Sequence, residues 1–174
     1  MPMFRTYEEN SGLIAIAATG LSAPLMYFAP PATADGNLFK VKVSCEAGAG
    51  TPTVPTSSSL SFTLNRVTGT KAGGAAVTPT PTGPATALGA AAPLAANIVV
   101  SSGTTAITGL TQTAELWEGT IPFSPGSFSG DDDPNTGEEV YLAASGQYAF
   151  FVTVPAGPGF GSNLFARVVA WHAE

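Results

Sequence analysis

The sequence predicts an all-β protein built as an antiparallel β-sandwich, and three observations lead to this fold class. Apolar side chains alternate with polar ones in most apolar segments, which is the pattern of a strand with one buried face. The 15 prolines and 20 glycines of the chain cluster between these segments and interrupt any longer regular element. No window of helical length shows an amphipathic stripe. About nine or ten short strands at this spacing favour a sandwich of jelly-roll type.

The composition limits what the 174 residues can be. That length suits one domain, which we place at residues 13–174, preceded by a short N-terminal arm at residues 1–12. Charged residues make up 10% of the chain, against about 25% in ordinary soluble domains. The net charge of −6 leaves no basic surface for nucleic acid. No apolar run reaches the length of a membrane-spanning helix, about 20 residues. We therefore expect neither nucleic acid nor a membrane as a partner.

Three apolar side chains stand out in the otherwise polar arm, MPMFRTYEENSG. They are Met3, Phe4 and Tyr7, and they suit a segment that lies along a neighbouring protein. A frayed terminus is the alternative, because chain ends are often poorly ordered. The arm also carries Glu8 and Glu9 ahead of the first apolar patch, where a secretory signal has positive charge. We therefore expect no signal peptide.

The segment LFKVKVSC has the clearest two-faced strand pattern. Phe39, Val41, Val43 and Cys45 point one way, towards the core, and the lysines between them point to solvent. Cys45 is the one cysteine of the chain, so no intrachain disulfide is possible. Its phase with the apolar residues predicts a buried structural thiol, in a protein that folds in a reducing cytoplasm.

The segment SLSFTLNRV repeats this pattern. Leu60, Phe62 and Leu64 face one way, and serine, threonine and asparagine face the other. Shorter strand candidates are residues 13–17, 25–28, 75–78, 97–100, 115–121 and 139–144.

The last two strand candidates, residues 147–154 and 164–171, are apolar on both faces. That character is typical of central strands with both sides covered, so we expect a C-terminal hairpin that anchors the core. The side chains expected in the core are Phe150, Val152, Leu164, Val168 and Trp171.

Few residues suggest catalysis. The single histidine, His172, cannot form a multi-histidine metal site, and a Ser-His-Asp relay would need serines that no motif marks. Neither a Gly-x-Ser-x-Gly elbow nor a glycine-rich phosphate loop occurs. We interpret His172 as a strand-end or surface histidine, and we expect no enzyme activity and no cofactor.

The acidic run GDDDPNTGEE is the one cluster of charge. Asp131, Asp133 and Asn135 have the one-three-five spacing of a calcium loop. Gly137, however, comes one position late, and Leu142 stands where such a loop has its bidentate glutamate. The alternative is a solvated turn, which these residue types favour. Bound calcium here would be structural.

Two further groups of residues invite a binding hypothesis. Glu115 and Glu118 flank Trp117, as in a glycosidase cleft, but they fall on opposite faces of a strand unless a bulge intervenes. A second group of aromatic residues lies in the predicted loops: Phe123, Phe128 and Phe160. These rings suit either a sugar-stacking platform or a subunit contact. A chain so poor in charge favours the contact.

The segment SLSFTLNRVTGTKAGGAAVTPTP resembles the strand, turn and strand of many small phage-encoded virion proteins of jelly-roll type. Those proteins carry a strand of the form V-x-L-x-R, then a Thr/Gly-rich turn with two glycines, then T-V-T-P. The matching positions here are Phe62, Leu64, Arg66, Gly73, Gly74, Val77, Thr78 and Pro79. The C-terminal segments GQYAFFVTVP and ARVVAWHAE are similar to the last two strands of that class.

This resemblance implies a head decoration (cement) protein. Such a protein is made in the host cytoplasm and sits on the outer surface of the capsid. There it binds the major capsid protein, usually as a homotrimer, and stabilises the contacts between capsomers. The arm and the loop aromatics would then be interface residues. Two other classes stay open. One is a carbohydrate- or receptor-binding tip module of a tail or spike, and the other is a hydrolase, which would need a pocket with convergent carboxylates.

Overall fold

The computed structural model describes residues 6–16, 22–33, 35–47, 58–82, 98–101, 105–123, 130–132, 139–154 and 164–173. The regular structure of these ranges is strand throughout, arranged in two antiparallel sheets. The predicted all-β sandwich is therefore confirmed. Within the same ranges, no helix has the length and apolar character needed to cross a membrane.

Thirteen strands occur in the described part of the chain. In order they are β1 Thr6–Asn10, β2 Ile14–Ile16, β3 Ser22–Phe28, β4 Gly36–Ala47, β5 Ser58–Ala72, β6 Ala75–Ala76, β7 Thr80–Thr82, β8 Ile98–Val100, β9 Thr108–Phe123, β10 Gly130–Asp132, β11 Val140–Leu142, β12 Tyr148–Thr153 and β13 Leu164–Ala173.

Each sheet has a long central path. Sheet I has the order β10-β4-β13-β1-β7, with β11 also pairing with β4 and β2 also pairing with β13. Sheet II has the order β6-β8-β3-β12-β5-β9. Consecutive strands often lie in different sheets, so the chain crosses the sandwich repeatedly.

The core fills the space between the two sheets, as the alternating patterns of β4 and β5 predict. Val43 and Cys45 face it from sheet I, and Phe62 and Leu64 face it from sheet II, each at most 2% exposed. Phe150 lies in the same cluster. Burying each of the large side chains stabilises the fold by about 1.5–3 kcal/mol.

The two C-terminal strands are central, but they do not form a hairpin. β12 lies between β3 and β5 in sheet II, and β13 lies between β4 and β1 in sheet I. Phe150, Val152 and Val168 are fully buried, as expected. Each strand is thus held by two neighbours of its own sheet, and the two strands lie in different sheets.

Trp171 does not lie in the predicted core position. The inward positions of β13 are Ala166, Val168 and Ala170, so Trp171 falls on the outer face of sheet I, where it is half-buried. Its ring lies under the Lys40 ammonium, 4.8 Å from Nζ to the centroid. A strand that is apolar on both faces does not reveal from its sequence which face is the inner one.

Phe39 is also displaced from its expected place. The ladder between β4 and β13 is irregular, so that Trp171 pairs with Lys40 while His172 pairs with Leu38. Phe39 is the extra residue, as in a β-bulge. Leu38 takes the core position, 2% exposed, and Phe39 is half-buried.

The described part of the predicted arm belongs to the sandwich. Residues 6–10 form β1, which pairs with β13 on one side and β7 on the other. Tyr7 is 1% exposed, so it packs inside its own chain and is not available as an interface contact. Ser11 continues the connection, because its backbone N–H donates to the carbonyl of Val168 at 2.9 Å.

Candidate binding groove

A groove of about 510 Å³ opens on the outer face of sheet I, at the end where β4 begins and β13 ends. We call it the Tyr141 groove. The residues that line it are Thr6, Asp35, Gly36, Asn37, Phe39, Glu139, Tyr141 and Ala173.

The strand registers explain why these distant residues meet. Tyr141 of β11 pairs with Asn37 of β4, Asn37 pairs with Ala173 of β13, and Ala173 pairs with Thr6 of β1. Directly opposed residues share a face of an antiparallel sheet. The floor of the groove is therefore one row of residues that crosses four neighbouring strands.

Tyr141 is the most exposed large apolar side chain among the described residues, at 60%. Its hydroxyl donates a hydrogen bond to Asp35, and this bond raises the pKa of the phenol above its ordinary value. The same bond lowers the pKa of the Asp35 carboxyl, with a smaller contribution from the backbone N–H of Ala144. That N–H donates to Asp35 Oδ1 at 2.6 Å. The hydroxyl of Tyr141 is thus hydrogen-bonded, while most of the residue stays open to solvent.

A second polar pair lies beside this ring. The side-chain amide of Asn37 donates a hydrogen bond to Oε2 of Glu139, and both residues line the groove. Asp35 and Glu139 thus bring two carboxyl groups to the groove, whose described lining contains no lysine, arginine or histidine. The groove offers hydrogen-bond acceptors beside a fixed aromatic ring, an arrangement suited to binding.

The predicted calcium site lies mostly outside the described residues. Asp131 is in β10, where its backbone pairs with Ser44 of β4, whereas Asp133 and Asn135 are not described. Across the described part of the chain, no three His, Cys, Asp or Glu side chains are grouped to hold a metal ion.

Most of the predicted interface residues also fall outside the described part of the chain. Met3, Phe4, Phe128 and Phe160 are not described. The backbone of Phe123 pairs with Ser58 at the end of β9.

Glu115 and Glu118 lie on the same face, contrary to the simple strand alternation. Glu118 pairs with Thr63 and Glu115 pairs with Asn65, because the ladder between β5 and β9 skips Leu116. Thr63 and Asn65 share a face, since the Asn65 amide donates to the Thr63 hydroxyl at 2.6 Å. Both carboxylates are exposed on an edge strand and do not line the Tyr141 groove.

His172 lies at the end of β13, as predicted, but it is not a surface residue. Its side chain is completely buried against Glu9, whose side chain is equally buried, and against the ring of Tyr7. Cys45 is 2% exposed, so the predicted buried thiol is confirmed.

The residues of the Tyr141 groove form no short motif, and sequence reasoning missed them. The sequence predicts a strand over residues 139–144, and Tyr141 alternates there with Val140 and Leu142. A tyrosine on the outward side of a short apolar strand was the available signal. Its pairing with Asp35 depends on the fold. A scan of family models and searches of curated proteins and of solved structures found no match to the chain.

Proposed function

We propose that this protein is a structural virion protein. It binds the outside of a phage head as a homotrimer, contacts the major capsid protein and stabilises the contacts between capsomers. The observation that carries the proposal is the nested pairing of its strands, together with the sequence resemblance to virion proteins of jelly-roll type.

The nesting appears when eight strand positions are taken in chain order. These positions are β1, β3, β4, β5, β9, β10 together with β11, β12 and β13. The first position, β1, pairs with the last, β13, and the second, β3, pairs with the last but one, β12. The third position, β4, pairs with β10 and β11, and the fourth, β5, pairs with β9. Such nesting supports a jelly roll, a fold of viral capsid proteins and of lectins. Because a fold hosts several functions, the choice of a decoration protein rests on the sequence resemblance.

The low charge of the chain supports attachment through apolar and backbone contacts. Charged residues are 10% of the sequence, so an electrostatic clamp has few groups to use. Modest contacts, repeated at many sites of a shell, stabilise it more than any one contact does. Binding should therefore survive high salt, where charge–charge attraction is screened.

The test uses particles from which the protein has been stripped or its gene deleted. We expect these particles to release their DNA at a lower temperature than complete particles do. Re-addition of the protein in 1 M salt, where the Debye length is about 3 Å, should restore the release temperature. The control is an unrelated β-sandwich protein added at the same concentration. Bare particles as robust as complete ones would contradict the proposal.

The oligomeric state is a separate test of the same proposal. Light scattering at micromolar concentration should give the mass of three chains, each of 17.5 kDa. A monomer would count against a trimeric cement protein.

The Tyr141 groove favours a second candidate function, a carbohydrate- or receptor-binding module of a tail or spike. Its fixed, exposed ring beside two carboxyl groups is a binding feature that a cement protein does not need. Under this alternative, gene deletion abolishes attachment to the host and leaves the heat resistance of the head unchanged.

A further inference from the structure

We propose that the Tyr141 groove binds a neutral saccharide, with one sugar ring against Tyr141 and its hydroxyls directed to Glu139 and Asn37. The inference concerns the isolated protein. It holds for a decoration protein as well as for a tail module, because it rests on the groove and not on a position in the particle.

The aromatic part of the site is Tyr141, which is 60% exposed. One face of a pyranose carries mainly C–H groups, and an aromatic ring buries such a surface while its polar tip stays hydrogen-bonded. The Tyr141 hydroxyl is hydrogen-bonded to Asp35, which favours one orientation of the ring before any ligand arrives. Phe39 lines the same groove and is half-buried. It adds apolar surface beside the platform.

The polar part of the site matches hydroxyl groups. A carboxylate accepts up to about four hydrogen bonds, and Asn37 donates one to Glu139. Further acceptor positions on Glu139 therefore remain for sugar hydroxyls, and such charge-assisted bonds are about twice as strong as neutral ones. The Asn37 side chain also has an acceptor oxygen. A sugar hydroxyl both donates and accepts, so it can use both kinds of group.

The groove is organised in advance, which lowers the cost of binding. Asp35 is held by the backbone of Ala144 and holds Tyr141 in turn, while Asn37 holds Glu139. Side chains that are already ordered lose little entropy on binding. The volume of about 510 Å³ lies within the usual range of ligand sites, about 300–1,000 Å³.

The charges of the groove select against anionic ligands. Asp35 and Glu139 repel sialic acids, uronic acids and phosphates, since no basic side chain in the described lining offsets them. A proline-rich peptide presents mainly carbonyl oxygens, which accept hydrogen bonds, and this groove offers few hydrogen-bond donors. A lysine or arginine side chain is the competing occupant, because cations bind both aromatic faces and carboxylates.

The experiment is binding of the full chain to an array of neutral, sialylated and uronic-acid glycans, followed by titration of the best ligand. We expect binding to neutral glycans alone, unchanged between low and high salt. Tyr141→Ala should weaken it about tenfold, and Glu139→Gln should weaken it less. Two matched controls are Leu13→Ala, an exposed apolar residue (51%), and Glu118→Gln, an exposed glutamate. Both lie outside the groove and should bind as wild type does.

Thermal unfolding of each variant distinguishes the loss of the binding site from the loss of the fold. If Tyr141→Ala proves unstable, Tyr141→Phe is the alternative variant, because it keeps the ring that stacks on the sugar. Three results would overturn the inference: no neutral glycan bound by the wild type, a preference for acidic glycans, or equal binding by folded Tyr141→Ala. Binding of an arginine-rich peptide that disappears in high salt would assign the groove to a cationic partner instead. The heat-resistance test of the particles is independent of all these outcomes.

Discussion

Glu9 and His172 form a fully buried pair that joins β1 to β13. A carboxylate oxygen of Glu9 lies 2.6 Å from Nδ1 of His172, and neither side chain is exposed to solvent. The ring of Tyr7 stacks on the imidazole, with centroids 5.3 Å apart. These residues lie on the neighbouring strands β1 and β13, so the contact fixes the N-terminal strand to the centre of sheet I.

Removing one member of this pair should destabilise the protein strongly. We expect Glu9→Ala and His172→Ala each to lower the free energy of unfolding by about 3–5 kcal/mol, because the remaining group stays buried without its counterpart. The double variant should lose much less than the sum. Urea denaturation measures all three, with the exposed Glu115→Ala as a charge-matched control that changes stability by about 0.5 kcal/mol or less. Additive losses would show that the two side chains are not coupled.

The loss of unfolding free energy when a phenylalanine is replaced by alanine should depend on how deeply that side chain is buried. Phe150 is fully buried and makes edge-to-face contacts with Phe28 and Trp117, so Phe150→Ala should cost about 3–5 kcal/mol. Phe165→Ala makes the same change at a half-buried site on β13 and should cost clearly less. Trp171→Ala should also cost less than Phe150→Ala. Equal losses at Phe150 and Phe165 in denaturant titrations would contradict the inner and outer faces described above.

The paired glycines of the turn after β5 are needed for space as well as for conformation. Gly73 has φ of +69°, and a Cβ there would collide with the carbonyl oxygen of Ala106. Gly12 has φ of +66° but nothing within 4 Å of a Cβ. Gly12→Ala should therefore destabilise the protein only by the energy of placing an alanine in the left-handed conformation, about 1–2 kcal/mol. We expect Gly73→Ala to lower the melting temperature substantially more. Similar losses at both sites would mean that the turn relaxes freely.

The bond between Tyr141 and Asp35 should appear in the pH dependence of both groups. The pKa of Asp35 is lowered by the Tyr141 hydroxyl and the Ala144 N–H. Its carboxylate therefore stabilises the fold fully above the ordinary pKa of about 3.9, and this contribution disappears as the pH falls through the lower folded value. Asp35→Asn should lack that acid-side loss of stability.

The alkaline side gives an independent measurement of the same bond. The pKa of Tyr141 is raised by Asp35, so its ring resonances in an NMR titration should change above the ordinary pKa of about 10. Asp35→Asn should bring that titration back towards about 10, whereas Glu118→Asn should not move it. A Tyr141 pKa that is the same with and without Asp35 would rule out the bond in solution.

Strand positions could be predicted where side chains obey the rule of apolar inside and polar outside. β4 and β5 follow that rule, and Val43 and Leu64 lie in the core, as their alternation with polar residues predicts. β1 breaks the rule, because its inward residues include Glu9. From the sequence, this polar segment resembles an exposed arm, because the histidine that pairs with its buried acid is distant in sequence.

Local irregularities account for other differences. The skipped residues at Phe39 and Leu116 come from the pairing between strands, and no residue type marks them in advance. The Tyr141 groove depends on pairing in the same way, since Asp35, Asn37, Tyr141 and Ala173 meet only across strands. Periodicity describes one strand at a time, so it cannot reveal a site that is built from a row across several strands.

The pairing of Thr6 with Ala173 has a practical consequence for protein engineering. Both residues line the Tyr141 groove, so an affinity tag or fluorescent protein inserted next to either of them would emerge beside the groove and restrict access to it. A label placed in a loop far from these two strands would leave the groove unobstructed.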